Sequence, residues 1–382
     1  MTRLLLAPFA LLLLVSCATT SSQMRALPRA PDTLQLAGFS FQRPAEADWM
    51  LASSSQAEIS IIRPGTDLDE SFVIQAFIHS LPEFENDADF LEFLTADPTD
   101  HQNPRFERLS IDSALIESKY DRCVRISIDN RDLQPVTRSG DPGPMFMDNL
   151  NIVCRHREHP QVAVTFGASH RYRNPASKSA LQPDVDQLLA QFEMTDLDYQ
   201  AFDYLGLQAT RSGDYLMGRK LLQTALNLAM ENAVAKAETA RIRFNLARAA
   251  GFNCDFGQAE ILFKASIDEE IEYVGANSPM LSSRYFELAR LYADQHKYTL
   301  AIPYFERAIA LLNDAAIAHD PIGYARVLED YARALQAESE KRKYHEIRAR
   351  IEQLKRDNPE KQARFVARHY HTECARAGHT ND

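Results

Sequence analysis

The five cysteines are the residues whose chemistry this 382-residue sequence constrains most. Cys123 and Cys154 lie on two predicted strands that are connected by a polar loop over 130–145. Because antiparallel pairing of these strands would bring the two side chains together, the sequence predicts a cross-strand disulfide, with two buried thiols as the alternative. Cys254 and Cys374 have no partner in the sequence pattern, so we expect both to be free thiols.

Histidine clusters are the candidate metal ligands. His156 and His159 stand close together in the first half, and His369, His371 and Cys374 stand close together near the C-terminus. Neither group offers the four ligands of a structural zinc site, so the sequence predicts no metal centre and no cofactor. We expect the C-terminal group to lie on a mobile tail.

Recognised catalytic motifs are absent from the sequence. It contains no nucleophile elbow, phosphate-binding glycine loop, dinucleotide fingerprint or zinc-protease helix. The sequence therefore favours a protein that is not an enzyme. The alternative is a hydrolytic or small-molecule-binding site in the first half, with the helical second half recruiting its substrate. The groups available for such a site are His156, His159, His170 and the acidic residues of 83–89.

Arginine recurs at one position in the second half, where it follows a small alanine as Arg248, Arg290 and Arg333. Other arginines lie seven residues before two of these, and phenylalanines lie four residues before two of them, so a helix would place them on one face. The full set is Arg241, Phe244, Arg248, Phe286, Arg290, Arg326 and Arg333. Guanidinium groups bind carboxylates bidentately, so the row predicts a site for an acidic, extended peptide. The alternative is that these arginines form salt bridges within the helices, to Glu287, Glu329 and similar carboxylates.

The N-terminus indicates where the protein resides. Arg3 precedes an apolar run over 4–15, which is the pattern of a secretory signal and is too short to span a membrane. The next residues complete Leu-Val-Ser-Cys, which resembles the bacterial lipobox, whose cysteine becomes the acylated first residue of the mature protein. The resemblance implies a signal peptide over 1–16, lipidation of Cys17 and a flexible tether over 17–30. Ala18 in place of aspartate implies an outer-membrane lipoprotein that faces the periplasm of a Gram-negative bacterium.

The second half contains repeated copies of one helical pattern. Three copies align at Leu205, Leu246 and Leu288, which are 41 and 42 residues apart, and a degraded fourth copy follows at Tyr331. Small residues recur on both helices of each copy and allow close approach. The pattern resembles the tetratricopeptide repeat (TPR) in a variant with a period of about 42 residues. The resemblance covers 199–355. It implies a helical solenoid that binds proteins, with the arginine row facing its concave groove.

The first half has the alternation and the turn residues of β-structure. Helices are predicted only around 90–94, with a cap at 87–89, and over 183–192. The predicted strands are 34–41, 58–63, 71–79, 109–119, 123–129, 150–155 and 162–170. The predicted fold is an α+β domain over 31–195, mainly an antiparallel sheet with two or more helices, followed by an all-α solenoid and a basic C-terminal helix or tail over 356–382.

Charge is distributed unevenly along the chain. Residues 1–200 hold 17 basic and 28 acidic residues, whereas 201–382 hold 25 of each, and this acidity argues against nucleic-acid binding. The acidic stretch 83–89 is a candidate intramolecular cover for the groove. The sequence as a whole predicts a lipid-anchored envelope scaffold that binds a partner protein or acidic peptide. A structural subunit of an envelope-assembly complex is a further alternative.

Overall fold

A computed structural model describes residues 25–27, 33–42, 48–95, 105–118, 121–180, 192–364 and 368–376. The chain divides into two compact units, 1–205 and 206–382. The predicted signal peptide, the lipidation site Cys17 and most of the predicted tether lie outside the described residues. No helix in the described ranges is both long enough and apolar enough to cross a membrane.

An eight-stranded antiparallel sheet forms most of the first unit, and a three-stranded sheet accompanies it. The strands are β1 (Arg25–Ala26), β2 (Thr33–Leu36), β3 (Phe39–Gln42), β4 (Met50–Ser54), β5 (Glu58–Pro64), β6 (Ser71–Ser80), β7 (Phe106–Ser118), β8 (Asp121–Asp132), β9 (Met145–Arg155), β10 (Val162–Tyr172) and β11 (Phe192–Met194). The larger sheet has the order β1-β4-β5-β6-β10-β9-β8-β7 and the smaller one β11-β3-β2. Every pairing is antiparallel, both between strands consecutive in sequence, such as β7 and β8, and between distant ones, such as β6 and β10.

Helix α1 (Asp87–Thr95) packs on the large sheet. It buries Phe90 and Leu94 in a cluster with Val124 and Val153. The side chain of Asn86 accepts the amide of Asp89 at 3.0 Å, so Asn86 caps this helix rather than the predicted aspartates that follow it.

The smaller sheet corrects one predicted strand and the last residue of one predicted helix. The predicted strand 34–41 is a hairpin of β2 and β3 that turns at Gly38, whose φ is +81°. The second predicted helix, 183–192, falls mostly outside the described residues, and its last residue, Phe192, begins strand β11. Phe192 pairs with Phe41 across the sheet, because burial between strands satisfies this apolar residue better than a surface helix would.

Paired helices form the second half. They are α2 (Tyr199–Ser212), α3 (Tyr215–Glu231), α4 (Lys236–Phe252), α5 (Phe256–Val274), α6 (Leu281–Asp294), α7 (Tyr298–Ala310), α8 (Asp314–His319), α9 (Pro321–Ala337) and α10 (Lys341–Asp357). The pairs are α2/α3, α4/α5, α6/α7 and α9/α10. An antiparallel sheet region followed by a helical region is the predicted fold class, which is confirmed.

The turn inside each helix pair repeats in backbone conformation. Gly213, Cys254, His296 and Ser339 have φ values of 93°, 65°, 59° and 62° and lie 41, 42 and 43 residues apart. Each residue ends the first helix of its pair in the left-handed region. In the first two turns the next residue is an aspartate whose side chain caps the second helix, as Asp214 does for the amide of Met217 at 3.0 Å.

Small residues set how closely the helices of the first pair pack. A Cβ on Gly206 would lie 2.5 Å from Cγ of Leu222, and a Cβ on Gly218 would lie 3.1 Å from the carbonyl oxygen of Gly206. The glycine at 218 therefore leaves room for the close approach of the two helices.

The C-terminus forms a further helix, α11 (Tyr370–Arg376). This helix contacts α4 and α6, the first helices of the second and third pairs. The expectation of a mobile tail is therefore wrong for 368–376. The physical reason is the burial of an aromatic residue, Tyr370, which is 0% exposed.

Candidate functional site

The arginine row and its neighbouring carboxylates form a chain of alternating charge. Arg290 donates to Oε1 of Glu287 at 3.0 Å and to Oδ2 of Asp330 at 3.3 Å. Arg333 donates to Oδ1 of Asp330 at 2.9 Å. Arg248 lies 3.8 Å from Oε1 of Glu287, and its Nε makes no hydrogen bond to a described residue.

Arg290 does not present a free guanidinium group to a partner. It is 1% exposed and shares its charge with two buried carboxylates. Burial by itself would raise the pKa of Glu287, but the charges of Arg290 and Arg248 and a hydrogen bond from Tyr370 hold it below its usual value. The prediction of an exposed arginine ladder is therefore wrong at Arg290, because Glu287 lies one turn before it on α6 and Asp330 faces it from α9.

The other predicted groove residues have different surroundings. Arg241 is half exposed and donates to Oε2 of Glu238 at 2.9 Å, one turn away on the same helix. The ring of Phe244 is half buried beneath the guanidinium group of Arg284, at 5.3 Å. Phe286 is buried, whereas Arg326 is exposed.

Tyr370 is the central contact between the C-terminal segment (368–376) and the helices. Its ring lies 4.7 Å from that of Phe252 and 6.5 Å from that of Phe263, measured between centroids. Its hydroxyl donates to Oε2 of Glu287 at 2.6 Å. Burial and the nearby carboxylate both raise the pKa of Tyr370 well above its usual value, so the phenol remains a hydrogen-bond donor. A Cβ on Gly251 would lie 2.7 Å from the ring, so the glycine makes room for it.

Polar contacts extend the docking on both sides of Tyr370. Its amide donates to Oδ2 of Asp294 at 2.7 Å, and the Tyr215 hydroxyl donates to Oε2 of Glu373 at 2.6 Å. Arg368 donates to the carbonyl oxygen of Arg211 at 3.0 Å. The segment therefore crosses the first helices of successive pairs. We call its contact surface, formed by Gly251, Phe252, Glu287, Asp294 and Asp330, the first-helix face.

A disulfide between Cys254 and Cys374 closes this arrangement, with the Cα atoms 5.5 Å apart. The expectation that both cysteines are free is therefore wrong. Cys254 occupies the turn at the end of α4, and docking of α11 brings Cys374 to it across 120 residues of sequence. Sequence patterns of strands and helices carry no signal for a contact at that separation.

The predicted pair in the first unit is also bonded. Cys123 and Cys154 stand directly opposite each other on β8 and β9, with Cα atoms 4.1 Å apart. The alternation of apolar residues left this register open. Within it, Val124 also faces Val153, and both are fully buried, so this strand pair contributes to the core on both of its faces.

The candidate catalytic histidines of the first unit make structural contacts. His170 is fully buried, and its Nε2 lies 2.8 Å from Oε1 of Glu70. His156 lies with its Nε2 3.3 Å from the carbonyl oxygen of Thr195, and the ring of His159 stacks on that of His156 at 5.4 Å. These partners orient the imidazoles within the fold and do not gather them around a common space.

The histidines of the C-terminal segment converge on one carboxylate. Nδ1 of His369 lies 3.0 Å from Oδ1 of Asp294, and Nδ1 of His371 lies 3.1 Å from the same oxygen. The hydrogen bond to Asp294 raises the pKa of His369. Cys374, the third residue of the sequence cluster, is in the disulfide and is replaced in this group by Asp294.

Sequence reasoning missed four residues of the first-helix face: Gly251, Glu287 as a partner of Tyr370, Asp294 and Asp330. A signal for one of them was present, since Gly251 breaks an alanine-rich helix face with a residue that costs helix stability. Tyr370 was a second signal, being one of two large aromatic residues, with Phe365, in a mostly polar tail.

Comparison with known proteins gives no family for this chain. Neither a protein-family model nor a curated protein matches it. Among solved structures it is similar to BtubC from P. vanneervenii, with 19% identity, a TM-score of 0.40, and coverage of 46% of this chain and 72% of that one. It is also similar to a kinesin light chain candidate from Podosopora anserina with nearly identical TPR-like repeats. The identity is 16%, the TM-score is 0.35, and the match covers 43% of this chain and 77% of that one. The MamA protein is a further similar structure, with 13% identity, a TM-score of 0.33, and coverage of 50% of this chain and 86% of that one. All three scores are too low to assign a family.

Proposed function

We propose that the protein is a lipid-anchored scaffold of the bacterial envelope whose helical repeats bind a segment of a partner protein at the first-helix face. The single observation that carries the binding site is the occupant of that face. A short stretch of this chain, 368–376, buries an aromatic anchor there and makes backbone and side-chain hydrogen bonds to the first and third helix pairs. A surface that holds one such segment has the features needed to hold another.

The contacts of the C-terminal segment indicate the chemistry of the partner. The pocket formed beside Gly251 and Phe252 accepts an aromatic ring, and Glu287 accepts a hydroxyl proton at its end. Arg290 is already neutralised, so the site favours a helical segment with a tyrosine anchor over the strongly acidic peptide that the arginine row indicated. The side chain of Arg248 is 28% exposed and can pair with one carboxylate of the partner.

Anchoring rests on the lipobox at Cys17 and the tether that follows it. Several acyl chains on one residue give stable attachment, and Ala18 directs the protein to the outer membrane in this proposal. Labelling cells with an alkyne-bearing fatty acid tests it. Label should appear on the intact chain and be lost in Cys17→Ala, and label that persists in that variant would refute lipidation at this residue.

A peptide in trans tests the binding site. The probe is a fluorescein-labelled peptide of residues 364–382 that carries Cys374→Ser, so that it cannot form a disulfide. The acceptor is the full chain with Tyr370→Ala and Cys374→Ser, which releases the internal segment. We expect saturable binding by fluorescence polarisation to this acceptor and at least tenfold weaker binding to the unaltered chain, whose face is occupied.

The matched control is the same peptide with Tyr370→Ala, which lacks the anchor and should not bind. Absence of binding to the released chain, or equal binding of both peptides, would contradict the proposal. Once the site is established, crosslinking in living cells can compare the released chain with a released chain that also carries Arg248→Glu, and a partner of the face should be lost in the second.

A further inference from the structure

A His-His-carboxylate group connects the C-terminal segment to α6. Oδ1 of Asp294 lies 3.0 Å from Nδ1 of His369 and 3.1 Å from Nδ1 of His371, and the three ligand atoms all lie within 4.8 Å of one another. In a tetrahedral zinc site with bonds near 2.0 Å, neighbouring ligand atoms stand about 3.3 Å apart. The two separations from Oδ1 of Asp294 are therefore close to those that one zinc-sized ion requires.

The partners behind each ligand are those that metal sites use to orient their ligands. Nε2 of His369 faces Oδ1 of Asp330 at 3.6 Å, which is the arrangement of a carboxylate behind a metal-bound histidine. Nε2 of His371 lies 3.2 Å from Oγ1 of Thr372. The second oxygen of Asp294 accepts the amide of Tyr370 and so leaves Oδ1 directed at the two imidazoles.

Access and burial also fit an ion. Asp294 is buried, whereas the side chain of His371 is half exposed. The group borders an open cavity that Ala293, His296, Tyr298 and Arg333 also line. An ion can therefore enter from solvent, and a water molecule can occupy a fourth position. The guanidinium group of Arg333 is held by Asp330, which offsets its charge near the site.

We propose that Asp294, His369 and His371 form a binding site for a divalent cation of the zinc class. Two imidazoles and one carboxylate suit Zn²⁺ and its neighbours in the first transition row, whereas Mg²⁺ and Ca²⁺ prefer oxygen ligands alone. Binding needs an unprotonated Nδ1 on each ring: a neutral imidazole carries its proton on Nε2 instead, an imidazolium releases its Nδ1 proton into solvent, and bonds to the metal replace the hydrogen bonds to Asp294. The ion would join α6 to the C-terminal segment. The further role of the ion, holding the segment on the first-helix face, rests on the proposed function. The metal site itself does not depend on that function.

Titration of the full chain with ZnCl₂ tests the site, with a chromophoric chelator as the competitor. Non-reducing buffer and prior blocking of free thiols exclude cysteine ligands. We expect one Zn²⁺ per chain and at least tenfold weaker binding in His371→Ala, whose half-exposed side chain can be removed without disturbing the packing of Tyr370. The matched control is His345→Ala, an exposed histidine on α10, which should bind as the unaltered chain does.

Two further readouts separate the site from its consequence. Bound Co²⁺ should give the intense visible absorption of a four-coordinate ion, and this absorption should be lost in a His369→Ala/His371→Ala double variant. Zn²⁺ should slow proteolysis of 368–376 in the unaltered chain and not in His371→Ala. Binding of equal strength in the double variant, or equal loss in His345→Ala, would overturn the proposal. If Zn²⁺ binds as expected but the peptide in trans does not bind, the proposed function is refuted and the metal site is not.

Discussion

At the scale of single residues, buried charge determines the character of the first-helix face. Arg290 is the largest fully buried side chain among the described residues, and it lies between Glu287 and Asp330. A buried ion pair contributes little net stability against apolar side chains of similar size, but removal of one partner leaves an uncompensated charge. The arrangement therefore fixes the geometry beneath Tyr370 and is sensitive to single substitutions.

Glu287→Gln should be strongly destabilising. It removes a charge that faces Arg290 and Arg248, and we expect a loss of about 3 kcal/mol in the free energy of unfolding. Urea unfolding followed by far-UV circular dichroism, which reports mainly on the helices, measures it. The matched control is Glu329→Gln, whose 2.7 Å pair with Lys355 is exposed and should contribute less than about 1 kcal/mol. Equal losses in the two variants would contradict this account.

Gly251→Ala should release Tyr370 and leave the repeats folded. The new Cβ would lie 2.7 Å from two ring carbons, and overpacking of this kind costs about 1–3 kcal/mol. We therefore expect amide hydrogen exchange of 370–376 to accelerate by about 10- to 100-fold. Gly257→Ala is the control, because a Cβ there would meet nothing within 4 Å. Unchanged exchange in Gly251→Ala would show that the ring does not need this space.

At the scale of elements, one buried acid joins two loops of the first unit. The loop between β5 and β6 contributes Asp69, which accepts the amides of Arg138 and Ser139 at 2.8 and 2.9 Å from the loop between β8 and β9. Arg173 donates to the same carboxylate at 3.0 Å. Burial alone would raise the pKa of Asp69, but these hydrogen bonds outweigh it and lower the pKa to about 2.

The Asp69 contacts should make the first unit sensitive to acid. Because the folded-state pKa is below the unfolded one, the stabilisation is present above about pH 4 and is lost as the pH falls toward 2. Asp69→Asn should therefore lower the urea midpoint at pH 7 and differ little from the unaltered chain near pH 2. Fluorescence of Trp49, the one tryptophan of the sequence, follows this unit. Asp112→Asn, an exposed acid on β7, is the control; an Asp69→Asn deficit that stays constant with pH would refute the account.

At the scale of the whole molecule, each unit carries its own disulfide. Cys123–Cys154 joins two neighbouring strands across 31 residues, whereas Cys254–Cys374 spans 120 residues of the helical unit. The longer bond closes most of the repeat region into one covalent loop. Disulfides are stable in an oxidising compartment, so both bonds agree with the proposed periplasmic location.

Removal of each disulfide should destabilise its own unit. Loop-closure entropy predicts a loss of about 5 kcal/mol for Cys254→Ser/Cys374→Ser and about 4 kcal/mol for Cys123→Ser/Cys154→Ser. The first pair of substitutions should shift the far-UV dichroism transition, and the second should shift the Trp49 fluorescence transition. Each variant serves as the control for the other. A shift of both transitions by one pair of substitutions would show that the units do not unfold independently.

The amino-acid sequence by itself determined most of the elements of this protein. Strand alternation and the small residues of the repeats are local patterns, because they follow from the period of a strand or helix and from the contact of helices adjacent in sequence. The sequence also placed Cys123 and Cys154 on strands that pair.

Only the tertiary structure decided what occupies the first-helix face. Tyr370 meets Gly251 and Glu287, and Cys374 meets Cys254, across 83 to 120 residues of sequence. The burial of Arg290 depends in the same way on Asp330, one repeat further along the chain. Such contacts depend on how the helices stack and on where the C-terminal segment folds back onto them. Neither produces a periodic pattern in the sequence.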